Sequence, residues 1–165
     1  MKEKKNFATL SCHYISKNHI VSCEEKELLI YDVYSNEIVK KTKFEHKIQH
    51  FEILQNNLVY ILFENSENSS NFIVINLSQE NDNKCVILSR KIENVDHYVT
   101  FSCHKSHPNL VFLLSHKNGQ LRLFNLHTNS NVCVYPNTSI LKLSPHHPEF
   151  VATDENKRII KFYSF

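Results

Sequence analysis

The sequence predicts an all-β fold of about four four-stranded antiparallel units, the last one short of its outer strand. Three observations carry this. Apolar residues come in short bursts such as Leu28-Leu29-Ile30-Tyr31, Leu58 to Phe63, Phe72 to Ile75, Leu110 to Leu114 and Ile159 to Phe162. Each burst is rich in Ile, Val, Phe or Tyr and is bounded by Asn, Ser, Lys or Glu, the signature of short strands. No stretch of a dozen residues shows a 3.6-residue period. Finally, the pattern recurs along the chain.

The recurrence is visible in four segments: HIVSCEEKELLIYDV (19–33), LVYILFENSENSSNFIVINL (58–77), NLVFLLSHKNGQLRLFNL (109–126) and EFVATDENKRIIKFYSF (149–165). Each reads strand, polar turn, strand, then an aromatic or apolar residue followed by Asp, Asn or Tyr. Taking Asp32, Asn76, Asn125 and Tyr163 as equivalent points, the spacings are 44, 49 and 38 residues. Matching lead-ins precede three of the segments: ATLSCHYISKN (8–18), VTFSCHKSHPN (99–109) and LKLSPHHPE (141–149). A fixed period of this size marks a repeat architecture.

Taken in order, the first unit places strands at 6–12, 19–23, 27–33 and 37–44. The second places them at 47–54, 58–63, 72–77 and 84–91, with polar loops at 64–71 and 78–83. The third uses 95–103, 110–115, 120–126 and 131–135. The fourth uses 140–144, 149–153 and 158–164, where its outermost strand is missing. Such an array leaves Ile159-Ile160-Lys161-Phe162 as an apolar edge, an aggregation liability. The expected organisation is a tail at 1–5 and one domain at 6–165, with units of about 6–45, 46–93, 94–137 and 138–165.

These units resemble the WD-repeat β-propellers, whose blade has four strands and about 40–45 residues. The third unit carries the resemblance best. Phe101-Ser102 stands at the end of the inner strand and His107-Pro108 in the turn that follows. Ser115 ends the second strand, Asn118-Gly119 forms a tight turn, and Phe124-Asn125 occupies the place of the family's Trp-Asp pair. The fourth unit offers Leu143-Ser144-Pro145, His147-Pro148, Ala152-Thr153 and Phe162. The first offers Ser22 and Tyr31-Asp32, and the second Ile75-Asn76. The chain has no Trp and no Gly-His dipeptide, and its single Gly is Gly119. The family's His–Asp–Ser–Trp network is therefore incomplete in every unit, and strand packing must supply the stability.

Composition narrows the function. Nineteen Lys+Arg against seventeen Asp+Glu give +2. The three arginines, Arg90, Arg122 and Arg158, are scattered. No basic stripe for nucleic acid or an anionic membrane exists. Five cysteines without a CxxC argue against a disulfide framework and for reduced thiols, hence a cytoplasmic or nuclear protein. The N-terminus lacks a signal-peptide core, and no apolar run approaches 18 residues. No GxSxG, P-loop or HExxH occurs, so no enzyme is expected. Cys103 and His104 are neighbours that a strand turns to opposite faces. No catalytic, cofactor or metal residue is assigned, and no small-molecule substrate is expected.

What the resemblance implies is a non-catalytic scaffold for protein–protein interaction in a multi-subunit complex; the missing outer strand leaves three explanations open, a fragment of a larger propeller, a half completed by a partner subunit, or a small strained ring. Two alternatives stand beside it. One is a membrane- or phosphoinositide-recruiting propeller, which in the family uses paired arginines that this chain lacks. The other is a zinc-binding module. His13, His104 with His107, and His146 with His147 follow the inner strands, Cys12 and Cys103 lie beside them, and zinc accepts both ligand types.

Overall fold

The computed structural model describes residues 11–54, 57–64, 69–78, 85–93, 98–115, 119–138, 140–144, 149–153 and 160–164. The first sheet holds β1 (Ser11–Tyr14), β2 (His19–Glu24), β3 (Glu27–Asp32) and β4 (Glu37–Lys43) in that order. The second holds β5 (Ile48–Leu54), β6 (Leu58–Phe63), β7 (Ser69–Asn76) and β8 (Val86–Glu93). The third holds β9 (Tyr98–His104), β10 (His107–Ser115), β11 (Gln120–Asn125) and β12 (Ser130–Tyr135). The fourth holds β13 (Ile140–Leu143), β14 (Glu149–Thr153) and β15 (Ile160–Ser164). Every pairing is antiparallel, each strand lying beside its neighbour in sequence.

The apolar bursts are continuous rather than alternating because the middle sheets are covered on both faces. In β6, Val59, Ile61 and Phe63 pack against Val21, Cys23, Leu28 and Ile30 of the first sheet. Tyr60 and Leu62, one residue out of phase, pack against Phe101, Val111 and Leu113 of the third. In β10, Val111 and Leu113 face the second sheet. Phe112 and Leu114 face Phe150 and Ala152 of the fourth. Period-two alternation thus gives each middle strand two buried faces.

Among the described residues, Tyr60, Arg90 and Glu52 tie the second sheet to the third through polar contacts. Tyr60 Oη donates to the Pro108 carbonyl at 3.0 Å. Arg90 Nε donates to the Leu126 carbonyl at 2.8 Å. Glu52 of β5 accepts from β9, as described below.

The repeat is exact at the turn after the third strand. Asp32 Oδ1 accepts from the backbone N–H groups of Tyr34 and Ser35 at 2.8 and 2.9 Å. Asn76 Oδ1 accepts from Ser78 N–H at 2.9 Å. Asn125 Oδ1 accepts from His127 and Thr128 N–H at 2.9 and 3.2 Å. These are Asx turns, which need a short side-chain acceptor at the first position. The next residue repeats another bond: Val33, Leu77 and Leu126 N–H donate to the carbonyls of Asn18, Asn57 and Asn109. The backbone hydrogen bonds around Asp32 also hold its carboxyl below the usual aspartate range. Asn125→Ala removes two exposed hydrogen bonds, and a loss of about 1 kcal/mol is expected in urea unfolding.

The scarcity of Gly has a physical answer here. Asn36, Asn57, Asn129 and Asn137 adopt positive φ of 57°, 60°, 54° and 56°. Asn tolerates the left-handed region better than other residues bearing a Cβ. Asn36 and Asn129 close the same turn, four residues after Asp32 and Asn125. Gly119, with φ 58°, ends the turn before β11, and its carbonyl accepts from Thr138 N–H at 2.6 Å. Gly119→Ala is expected to cost about 1–2 kcal/mol, read as a lower urea midpoint.

The outer strands share a second device. Ile30 pairs with Lys40 but Tyr31 with Ile38, leaving Val39 unopposed. Likewise Val74 pairs with Leu88 and Ile75 with Val86, leaving Ile87. Leu123 pairs with Cys133 and Phe124 with Asn131, leaving Val132. All three bulged residues are exposed. A bulge in an edge strand bends it and blunts pairing with another chain.

Several boundaries differ from expectation. The first inner strand is described from Ser11 to Tyr14, so His13 lies within it, where 6–12 was expected. The loop expected at 64–71 gives way to β7 at Ser69, because Ser69 and Ser70 pair with Glu93 and Ile92. His107-Pro108 is not the turn. His107 pairs with His104 around Lys105-Ser106, and the register then jumps to Val111 opposite Cys103. Pro108, which has no N–H for a ladder, sits in that irregularity. Asn118, Ile159, most of the 78–83 loop and the 1–5 tail lie outside the described residues. So do the side chains of β15 and hence the expected apolar edge.

Candidate interaction groove

The first strands of the four sheets come together around an open groove of about 660 Å³. β1 contributes His13, β5 His50 and Glu52, β9 Ser102 to His104, the turn after it Lys105, and β13 Lys142 and Leu143. β5 builds its centre. Ile48 pairs with Phe63 and His50 with Leu62, so Gln49 is the extra residue of a bulge. Beyond it, His50, Glu52 and Leu54 share the face turned to β9, while Phe51 and Ile53 pack toward the first sheet.

Glu52 bridges two sheets. Its Oε1 accepts from Ser102 Oγ at 3.2 Å and its Oε2 from the Cys103 backbone N–H at 2.9 Å. Burial pushes its carboxyl up to about 7, against the opposing pull of those two donors. Among the described residues no cation forms an ion pair with it. A carboxylate offers about four acceptor positions, and these two bonds use two of them.

Aromatic edges surround it. The His50 ring stands edge-on to Phe101, centroids 4.9 Å apart at 89°, and the His13 ring edge-on to Phe51 at 5.2 Å and 82°. Burial, with His13 nearby, holds His50 below the ordinary histidine range, so its ring is neutral at neutral pH. Lys105 and Lys142 are exposed at the rim.

The histidines singled out by sequence separate into three groups. His13 and His104 line the groove, His107 does not, and His146 and His147 lie outside the described residues. Cys12 is exposed and Cys103 buried. Among the described residues no three His, Cys, Asp or Glu side chains converge where a metal ion could be held. Burial and the Glu52 charge raise the Cys103 thiol well above its ordinary range. It is therefore a thiol at neutral pH and a poor nucleophile. Sequence reasoning missed His50 and Glu52. The strand IQHFEIL shows three polar residues, Gln49, His50 and Glu52, among apolar ones, and this pattern alone does not say what they meet.

No protein-family model matches the chain, and no curated protein matches it. Solved structures do. The β-propeller domain of Cps50 (Swd1) from Myceliophteria thermophila superimposes with a TM-score of 0.72 over 95% of this chain. The chain folds as an incomplete β-propeller. Identity over the match is 17%, so the likeness speaks for fold alone. The chain spans about half the length of that domain, 53% of it. The sheets are thus propeller blades, β1, β5, β9 and β13 their inner strands, and the groove lies where a propeller has its central channel. In all, 533 solved chains match. A fold used so widely does not define an activity.

Proposed function

We propose that this protein is a non-catalytic, WD-repeat-like interaction scaffold that works inside a multi-subunit complex. The observation that carries the reading is the inner-strand groove. It brings polar side chains from all four blades onto one rigid surface, with both ring edges and charged groups available to a partner. Rigid scaffolds that present a shaped polar and aromatic surface are suited to partner recognition. The Asx turns at Asp32, Asn76 and Asn125, where the family has its Trp-Asp pair, support the WD-repeat reading. A Cys103 held as a thiol supports the non-catalytic one. The free cysteines fit a reducing compartment, cytoplasm or nucleus.

Affinity purification of the tagged protein from native lysate is the test. A protein partner should co-purify in stoichiometric amount and survive washing. Recovery of chaperones alone would contradict the proposal.

A further inference from the structure

The groove holds a carboxylate that forms no ion pair among the described residues. Glu52 sits on the inner strand of the second blade, fixed by Ser102 and Cys103 of the third. Those donors orient it and use two of its about four acceptor positions, and Glu52 itself lines the groove. His50 and Phe101, edge-to-face with each other, line the same groove, which is large enough for an extended side chain. A buried carboxylate without a cation is costly, and a hydrogen-bonding cation that entered would offset the cost.

The rim has the opposite sign. Lys105, in the turn after β9, and Lys142 of β13 are exposed at the groove. They repel a bare cation and attract carboxylates on either side of one. The two charges together describe one kind of occupant. From this geometry we propose that the groove receives a lysine or arginine side chain of a partner protein, carried on a peptide segment with acidic residues flanking it. The basic head pairs with Glu52, and the flanking carboxylates lie by Lys105 and Lys142. This rests on the scaffold reading above and names the partner chemistry at the same surface.

The test uses the full chain, isotope-labelled for NMR, and the blocked tripeptide Asp-Arg-Asp as probe. Titration at pH 7.5 should shift the Cys103 amide signal saturably. Replacing the arginine by citrulline, its neutral isostere, should weaken binding about tenfold or more, as expected for losing a hydrogen bond to a charged group. Glu52→Gln should weaken it by a similar factor. Val39→Ala, on the outer strand β4, should bind within a few-fold of the parent. Equal binding of the citrulline peptide, or no saturable shift with the arginine peptide, overturns the proposal. So does undiminished binding by Glu52→Gln. If that variant fails to fold, the citrulline comparison on the parent protein decides. A partner captured equally by parent and variant, with no peptide binding, would leave the scaffold standing and remove this inference alone.

Discussion

Replacing Phe72 with alanine is expected to destabilise the protein by about 3–5 kcal/mol, the usual range for removing a buried phenylalanine. Phe72 is fully buried on β7 at the seam between the second and third blades. Its ring meets Phe101 at 5.1 Å and 75° and Tyr60 at 6.1 Å and 61°. Both are edge-to-face pairs, which add to the burial energy. Domains of this size are stable by only about 5–15 kcal/mol, so most of the margin is at stake. Urea unfolding should show a much lower midpoint with an unchanged slope. Val39→Ala, at an exposed rim bulge, should move the midpoint by no more than about 0.5 kcal/mol. Similar losses from the two variants would mean that the blades do not pack as described.

The second large effect is pH-dependent and centres on Glu52. Its carboxyl ordinarily titrates at 4.5 and is raised to about 7 in the fold. The folded state therefore holds its proton more tightly than the unfolded chain. Stability from this group is full below pH 4.5, falls as pH rises toward 7, and stays at the lower level above. The difference corresponds to about 3 kcal/mol. Other groups face the same site: His50 on its own strand, His13 from β1, Tyr60 from β6, Cys103 and His104 from β9, Lys105 from the turn after it, and Lys142 from β13. His50 is shifted down, so its contribution runs the other way, rising with pH. The comparison must therefore be between the parent protein and Glu52→Gln. Glutamine keeps an acceptor for Cys103 N–H and carries no charge. The variant should match the parent near pH 4.5 and exceed it by about 3 kcal/mol above pH 7. An unchanged difference across that range would remove the buried charge from the account.

A charge retained at that cost is the kind of local inconsistency that marks functional surfaces. It also shows what sequence could and could not reveal. The strands of the second unit were legible because Leu58 to Phe63 is an unbroken apolar run. Only a strand covered on both faces reads that way. Asp32, Asn76 and Asn125 were legible as equivalent because one turn geometry demands the same acceptor in each unit. The scarcity of glycine has its reason only in the structure, where Asn36 and Asn129 adopt a left-handed conformation for which glycine is the familiar residue. The Lys105-Ser106 turn was hidden by His107-Pro108, a dipeptide that signals a turn and here opens a strand. Glu52 was not legible at all. Its role depends on a two-residue step past the bulge at Gln49 and on a contact with Ser102 and Cys103, about fifty positions away. Nothing local in IQHFEIL encodes that meeting.

The central claim is that partners engage this protein through the inner-strand groove. Lysines report on it directly, because Lys105 and Lys142 lie at the groove while Lys40, Lys41 and Lys91 lie on the outer strands β4 and β8. Amine cross-linking of the affinity-purified complex, read by mass spectrometry, should join the partner to Lys105 and Lys142. Cross-links confined to Lys40, Lys41 and Lys91 would place the partner on the outer rim and contradict the account.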